Sequence, residues 1–455
     1  MAFQSSEPPK AQAREIPVSP LDPGALSFWI AVLLTGIAAG VGAAALTAIL
    51  EAVQALAWGE ADPAALMEAA ATTTPAHHLF VLLAAGLITG GGQWGLSRLS
   101  SGGVDLTAAI WFHAGRLPKL RTLGSAVLSI AIVGMGASLG REGAPKQAGA
   151  VFGDLASDLF RMSDARRRLL VTIGAGAGMA AVYSVPLGGA LFALEVLRGA
   201  LALRLVVPAL AASAVATAVA ALMGVPNAPI YATVPDEIGL DVYLWAILAG
   251  PFIGLWSVVF VRAIAWADRR RPFGWLGLLA PPLALLAVGA ASIPFPEVLG
   301  NGQGVAQLLF ERPLALTPLL ILAGLRPLCT VASFASGAPG GLFTPSLAAG
   351  ALLGAVLGAA WVWLFPGGNG RIFAVIGAGA MIAATTQGPI SALVLMMELT
   401  GQARLFALPT LIAIVVATAT ARAIEMRSIY EARLSDAEVM ERMRARDADF
   451  RRSPE

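Results

Sequence analysis

Charge is what this sequence most clearly lacks: only 13% of its 455 residues are Asp, Glu, Lys or Arg, where a soluble chain carries about 25%. A soluble core does not absorb such a deficit, because larger chains split into domains and do not enlarge one core. Cysteine is almost absent too. Cys329 stands alone in an apolar stretch, which excludes a disulfide framework and a cysteine-based metal site. The three histidines, His77, His78 and His113, show no metal-ligand spacing, so neither a metal nor another cofactor is expected. The net charge of +2 is too small to imply nucleic acid as a partner. Residues 1–25 are polar and proline-rich and contain no apolar core of a secretory signal. They read as a retained cytoplasmic tail.

What the chain does have is apolar surface, with 57% hydrophobic residues and a mean hydropathy of +0.76. Its 50 glycines and 29 prolines suit closely packed and interrupted membrane helices. Apolar stretches at 26–50, 79–99, 120–139, 205–223, 242–266, 273–293, 313–334, 345–365 and 406–423 approach or exceed the roughly 20 residues a membrane crossing requires. Shorter apolar pieces lie at 104–115, 144–160, 169–182, 186–197, 373–385 and 389–400. Broken helices survive at membrane depth only when buried in protein or lining a watery cavity. The expected class is an all-α, multi-pass integral membrane protein with a lipid bilayer as partner, and a transporter or channel. Basic residues cluster at 116–121, 161–168, 269–271 and after Arg422. The positive-inside rule makes these faces cytoplasmic, which predicts a cell (inner) membrane protein with both termini in the cytoplasm. The charged tail 431–455 reads as helical, solvated and too short for a second domain.

The chain also repeats itself. Gly136-Ala137-Ser138-Leu139-Gly140, followed by Ala148-Gly149-Ala150, aligns without gaps on Gly337-Ala338-Pro339-Gly340-Gly341 and Ala349-Gly350-Ala351. Ile173-Gly174-Ala175-Gly176-Ala177, with Pro186 and Glu195, aligns on Ile376-Gly377-Ala378-Gly379-Ala380, with Pro389 and Glu398. Both second copies lie about 200 residues after the first. Two matches in one order, at nearly one offset, predict repeat halves at 26–230 and 240–430. Paired Gly/Pro-interrupted segments in two halves point to a binding site at their interface.

Two enzyme-like patterns are set aside. Gly136-Ala137-Ser138-Leu139-Gly140 fits G-x-S-x-G, but an apolar helix precedes it where a nucleophile elbow needs a strand. Gly174-Ala175-Gly176-Ala177-Gly178 resembles a dinucleotide loop, yet no βαβ unit surrounds it. No enzyme centre is expected. Gly140-Arg141-Glu142-Gly143 is different, because it joins an apolar helix to a short one and so opens a helix N-terminus inside the protein. Such an end binds anions, and a carboxylate held there imitates the ion and competes with it. An ionisable group at membrane depth is functional by default. The plainer alternative is an ion pair with Lys146, four residues on. Gly340-Gly341-Leu342-Phe343-Thr344-Pro345 is the matching second-half site, either an anion-binding pair of amides at Leu342 and Phe343 or a simple tight turn. Ser101 precedes a short helix and is either a cap or an ion donor. Tyr430, after the last span, is on its own an interfacial belt residue.

Together, Gly-Arg-Glu-Gly at 140–143, Gly-Gly-Leu-Phe-Thr-Pro at 340–345, the serine loop near 101 and Tyr430 resemble the CLC family of voltage-gated chloride channels and chloride/proton antiporters, over about residues 26–435. The resemblance implies an inverted repeat with many tilted helices, in a compact prokaryotic-type member lacking the regulatory domains of eukaryotic relatives. It implies a homodimer with one anion pathway per subunit, and Glu142 as gate beside Gly143. Ser101, Tyr430 and the amides of Leu342 and Phe343 would bind chloride, the transported ligand. Serine in the first loop is similar to chloride-preferring members, not to nitrate- or fluoride-selective ones. Two departures stand out: Ser100-Ser101-Gly102-Gly103-Val104 lacks the family's usual proline, and Ala144-Pro145-Lys146 follows the gate. Proton-coupled members carry a second, inner glutamate where this chain has Val196, so Glu195 is the candidate for a proton path. The expectation leans slightly to channel-like, uncoupled conductance. The alternatives are chloride/proton exchange and, from another class, a secondary transporter of a different small anion.

Overall fold

The computed structural model describes residues 16–17, 22, 24–99, 104–233, 238–365, 370–431 and 434–451. Long runs of Leu, Ala, Ile and Val without caps or charges form helices whose backbone satisfies itself, as lipid demands. The first half contains α1 (Ala25–Trp58), α2 (Leu66–Ala71), α3 (Pro75–Leu99), α4 (Leu106–Phe112), α5 (Lys119–Gly134) and α6 (Gly143–Leu159). It continues with α7 (Asp164–Tyr183), α8 (Pro186–Phe192), a π turn at Ala193–Arg198, and α9 (Leu203–Leu222). The second half contains α10 (Leu240–Arg269), α11 (Leu276–Ser292), α12 (Gln303–Glu311), α13 (Leu316–Ala335) and α14 (Phe343–Leu364). After these come α15 (Gly370–Thr386), α16 (Pro389–Thr400), α17 (Ala403–Ile424) and the tail helix α18 (Asp436–Arg451). Among the described residues, seven helices are long and apolar enough to cross a membrane. Outward-facing Leu248, Phe252 and Val259 on α10 are exposed, as lipid contact requires.

The repeat is structural. The packing of α6 on α7, α1 on α9, α7 on α9 and α1 on α7 recurs as α14 on α15, α10 on α17, α15 on α17 and α10 on α15. Backbone detail recurs as well: Gly136 and Gly337 have φ of 102° and 94°, and Ser184 and Gln387 have 53° and 59°. Each member of these pairs turns the chain between the end of one helix and the start of the next. Helices α3 and α8 pack on their own counterparts, α11 and α16, and Gly140 and Gly341 exchange N–H···O bonds of 2.8 Å. Contacts between equivalent parts are what a two-fold axis relating inverted halves produces. A Cβ at Gly149 would overlap the Gly174 backbone, and Gly350 and Gly377 repeat that close approach. Small residues here permit backbone-to-backbone packing, and Gly174 sits mid-helix in α7, not in a cofactor loop.

Helices α6 and α7, which contain the shorter apolar pieces 144–160 and 169–182 to within a residue, are largely buried, as expected. Two expectations change. Helices α5 and α11 are 16 and 17 residues long, shorter than the apolar stretches 120–139 and 273–293, because the left-handed Gly136 turns the chain and Leu276 starts late. The tail is helical as expected, but its first turns are docked. Arg442 is 2% exposed, donates to the Val196 carbonyl at 2.8 Å and pairs with Glu431 at 2.9 Å. Its guanidinium donates to a carbonyl at the end of the π turn, where carbonyls run short of intrahelical donors.

Candidate functional site

Helix α5 stops at Gly134, and the chain crosses Gly136–Gly140 before α6 begins at Gly143, leaving Glu142 as the N-cap residue. Gly337–Leu342 makes the same crossing before α14. The Gly140–Gly341 bridge thus holds two helix N-termini against each other at the centre of the molecule.

Glu142 is fully buried, and its side chain does not cap its own helix. It reaches into the other half. Oε1 accepts from the Phe343 amide at 2.7 Å, and Oε2 accepts from the Thr344 hydroxyl at 2.7 Å. The Tyr183 hydroxyl donates to Oε2 at 3.4 Å and lies 3.3 Å from the Thr344 hydroxyl. Charge-assisted hydrogen bonds of this length are the strong ones, and the α14 N-terminus adds the favourable end of its dipole. The carboxylate therefore lies where a small anion would be bound. A Cβ on Gly140 or Gly341 would overlap its oxygens, so glycine at both positions makes room for it. The Arg141 guanidinium lies 5.0 Å from the Tyr183 ring centroid and steadies that ring.

On the other side of this backbone lies a cavity of about 660 Å³. Its walls include Gly143, Gly340, Gly341, Leu342, Lys146 and Tyr430, and it extends to Arg121 and Arg271, members of two basic clusters. Phe343, Phe192 and Tyr430 form an aromatic chain with centroid separations of 6.3 and 5.4 Å. Tyr430 is thus drawn into the protein and is not merely a belt residue. Lys146 donates to the Tyr430 hydroxyl at 3.2 Å, whereas Glu142 turns to the second half. The two part company despite their four-residue spacing.

Five of the sequence candidates are brought together: Gly143, Leu342 and Tyr430 line the cavity, and Glu142 is bonded to the Phe343 amide beside it. Ser101 lies outside the described residues. Glu195 sits apart on the π turn, and its carboxylate accepts from the Ile390 and Ser391 amides at 3.1 and 2.6 Å. Glu398 accepts from the Leu187 and Gly188 amides at 3.1 and 2.6 Å. Each carboxylate caps the first turn of the other half's helix, the shared packing role that their repeat positions allowed. Val196 beside it is buried. Sequence reasoning missed Tyr183 and gave Thr344 no role, although Thr344 lies within the quoted motif. The readable signal was two hydroxyl side chains at helix ends, Tyr183 closing α7 and Thr344 in the first turn of α14.

A family model described as "Voltage gated chloride channel" matches residues 81–422. The voltage-gated ClC-type chloride channel ClcB of Citrobacter koseri is 33% identical over 390 residues, covering 81% of this chain and 90% of that protein. A putative chloride channel protein ClcB-like of Ralstonia nicotianae is 32% identical over 413 residues, covering 87% and 95%. Among solved structures, a slow cyanobacterial Cl-/H+ antiporter superposes with a TM-score of 0.77 at 24% identity, covering 93% of this chain and 98% of that one. A CLC-type fluoride/proton antiporter gives 0.69 at 21%, covering 90% and 98%. At these identities the solved structures share the fold.

Proposed function

Because this chain belongs to the voltage gated chloride channel family, we propose that it conducts chloride across the cell membrane through a pathway that Glu142 opens and closes. The observation that carries this reading is the Glu142 carboxylate, a side chain of one half seated on the amide and hydroxyl donors of the other. A seated carboxylate excludes a second anion from the same donors. A protonated or displaced one yields them, and the cavity beyond supplies the route to the basic face. Chloride, with a single charge and no directional lone-pair demand, suits a seat made of amide and hydroxyl donors. A carboxylate substrate would call for an arginine fork at the seat itself, where the donors to Glu142 are an amide and two hydroxyls.

The gate is complete within one chain, so the homodimer would carry two independent pathways, each subunit with its own. The basic clusters support a bacterial inner-membrane location with both termini cytoplasmic.

The conductance is uncoupled. Supporting this, Val196 offers no proton, and Glu195, the nearest substitute, is engaged in capping amides of α16. Vesicles containing the protein, given an outward chloride gradient, should release chloride without moving protons uphill. Chloride release with stoichiometric uphill proton uptake would replace the uncoupled reading by exchange. Failure to release chloride would refute the function.

A further inference from the structure

A second, smaller cavity of about 10 Å³ lies beside the gate, with Arg141, Gly300, Asn301 and Gln54 in its walls. It shares no lining residue with the large cavity. Gln54 belongs to the last turns of α1, which leads away from the cytoplasmic tail. The small cavity therefore lies on the extracytoplasmic side of Glu142, whereas the large one reaches the basic clusters of the cytoplasmic face. Its volume holds about one water-sized particle.

The side chains around it are unusual in what they leave over. Asn301 is 5% exposed, and its Oδ1 accepts from the Gln303 amide at 3.1 Å. That bond fixes which end of the side-chain amide is which. The other end, Nδ2, is buried with no hydrogen-bond partner among the described residues. Arg141 is 7% exposed, its ring contact is with neutral Tyr183, and its Nε is likewise buried without a partner. One residue before Asn301, the Gly300 carbonyl accepts from Arg326 at 2.8 Å. Arg326 is fully buried, and its other acceptors are the Ser138 hydroxyl at 2.8 Å and the Val298 carbonyl, again neutral groups.

Two buried guanidinium groups whose partners are neutral carry a desolvation cost that no carboxylate answers. Besides Asn301, Gln54 is the lining residue with a side-chain oxygen, and one neutral acceptor does not offset two charges. Asparagine itself is informative. Aspartate would make the same bond to the Gln303 amide and would also neutralise Arg141. Asparagine keeps the bond, adds N–H donors and leaves the positive potential standing, which is what a bound anion requires.

We propose that Asn301 and Arg141 form an outer binding site for a monovalent anion, occupied while Glu142 is still seated, with Arg326 holding the 298–300 segment and adding its charge. The site deepens the chloride-conducting function above and rests on it. An anion held there enters the seat as soon as the carboxylate leaves, so the site sets how conduction saturates with extracytoplasmic chloride. It binds well enough to collect the ion and weakly enough to pass it on.

The test varies chloride on one face at a time, in excised patches from giant spheroplasts expressing the full chain. Asn301→Ser and Asn301→Asp both keep an oxygen for the Gln303 amide. Asn301→Ser, which loses the amide donors, is expected to raise half-saturating extracytoplasmic chloride about threefold. Asn301→Asp is expected to raise it at least about tenfold, equivalent to about 1.4 kcal/mol. Half-saturating cytoplasmic chloride should stay as in the wild type. Unchanged saturation in Asn301→Asp, or equal shifts on both faces, would overturn the assignment. Wild-type crystals grown in bromide keep it falsifiable should neither variant fold. Anomalous density is expected between Asn301 Nδ2 and the Arg141 guanidinium, and a cavity holding water only would refute the site. Wild-type protein that carries no chloride current would instead overturn the function on which the proposal rests.

Discussion

Glu142→Ala is expected to conduct chloride at a rate that no longer responds to pH. In the wild type the seated carboxylate is held by two charge-assisted hydrogen bonds of 2.7 Å, each worth about 1.5–3 kcal/mol. Protonation removes the charge that makes those bonds strong, so acid conditions release the seat. Alanine removes the occupant outright and leaves the Phe343 amide and the Thr344 hydroxyl to the anion at every pH. Wild-type flux should therefore rise at least about tenfold from neutral to acid conditions, a change that 1.4 kcal/mol suffices to produce. The Glu142→Ala ratio should be about one. Glu142→Gln should also lose the pH response, because it cannot change charge. Its displaced side chain still narrows the pathway beside the seat, so its flux should be lower than that of alanine. Stopped-flow chloride efflux from vesicles at several pH values gives all three curves. A pH response surviving in Glu142→Ala would remove Glu142 from the gate.

Thr344→Val should raise chloride flux at neutral pH. Valine keeps the volume of threonine and loses the hydroxyl that donates to Oε2 at 2.7 Å. That donor helps hold the carboxylate on its seat, so its loss leaves the seat vacant more of the time. A loss of about 1.5–3 kcal/mol corresponds to a rise of about tenfold or more in the vacant fraction. Tyr183→Phe should raise flux in the same way by less, since its bond is the longer at 3.4 Å. The two hydroxyls also touch each other at 3.3 Å, so the double variant should gain less than the sum of the singles. Unchanged flux in Thr344→Val would mean that the hydroxyl does not hold the carboxylate.

The sequence made the centre of this site readable because its physics is local. A glutamate flanked by Gly140 and Gly143 at the start of a helix, and a Gly340-Gly341 turn before Phe343, announce two helix N-termini. The repeat announces that they are equivalent. What the repeat did not convey was exchange across the axis. An alignment matches Glu195 to Glu398, yet only the inverted packing shows that each carboxylate caps the helix of the other half. Tyr183 was hidden for a similar reason. It ends a Gly/Ala-rich helix with no motif around it, and the left-handed Ser184 that turns the chain there is not a residue type that advertises such a turn. Lys146 was visible as a charge, but helical spacing suggested Glu142 as its partner. Packing decided otherwise, because second-half donors hold the carboxylate while Tyr430 and Phe192 hold the ammonium. Tail docking depends on carbonyls left over at a π turn, a local deviation that apolar periodicity does not encode.

The central claim is that the Glu142 side chain and a transported halide use the same donors in turn. Bromide, whose anomalous scattering locates it directly, tests this in crystals of wild type at neutral pH and of Glu142→Gln. The account predicts bromide within hydrogen-bond reach of the Phe343 amide and the Thr344 hydroxyl in the variant, with the glutamine side chain displaced from that position. In the wild type the carboxylate should occupy the position and the bromide should not. Bromide bound away from Phe343 and Thr344 in both crystals, with residue 142 seated alike in each, would contradict it.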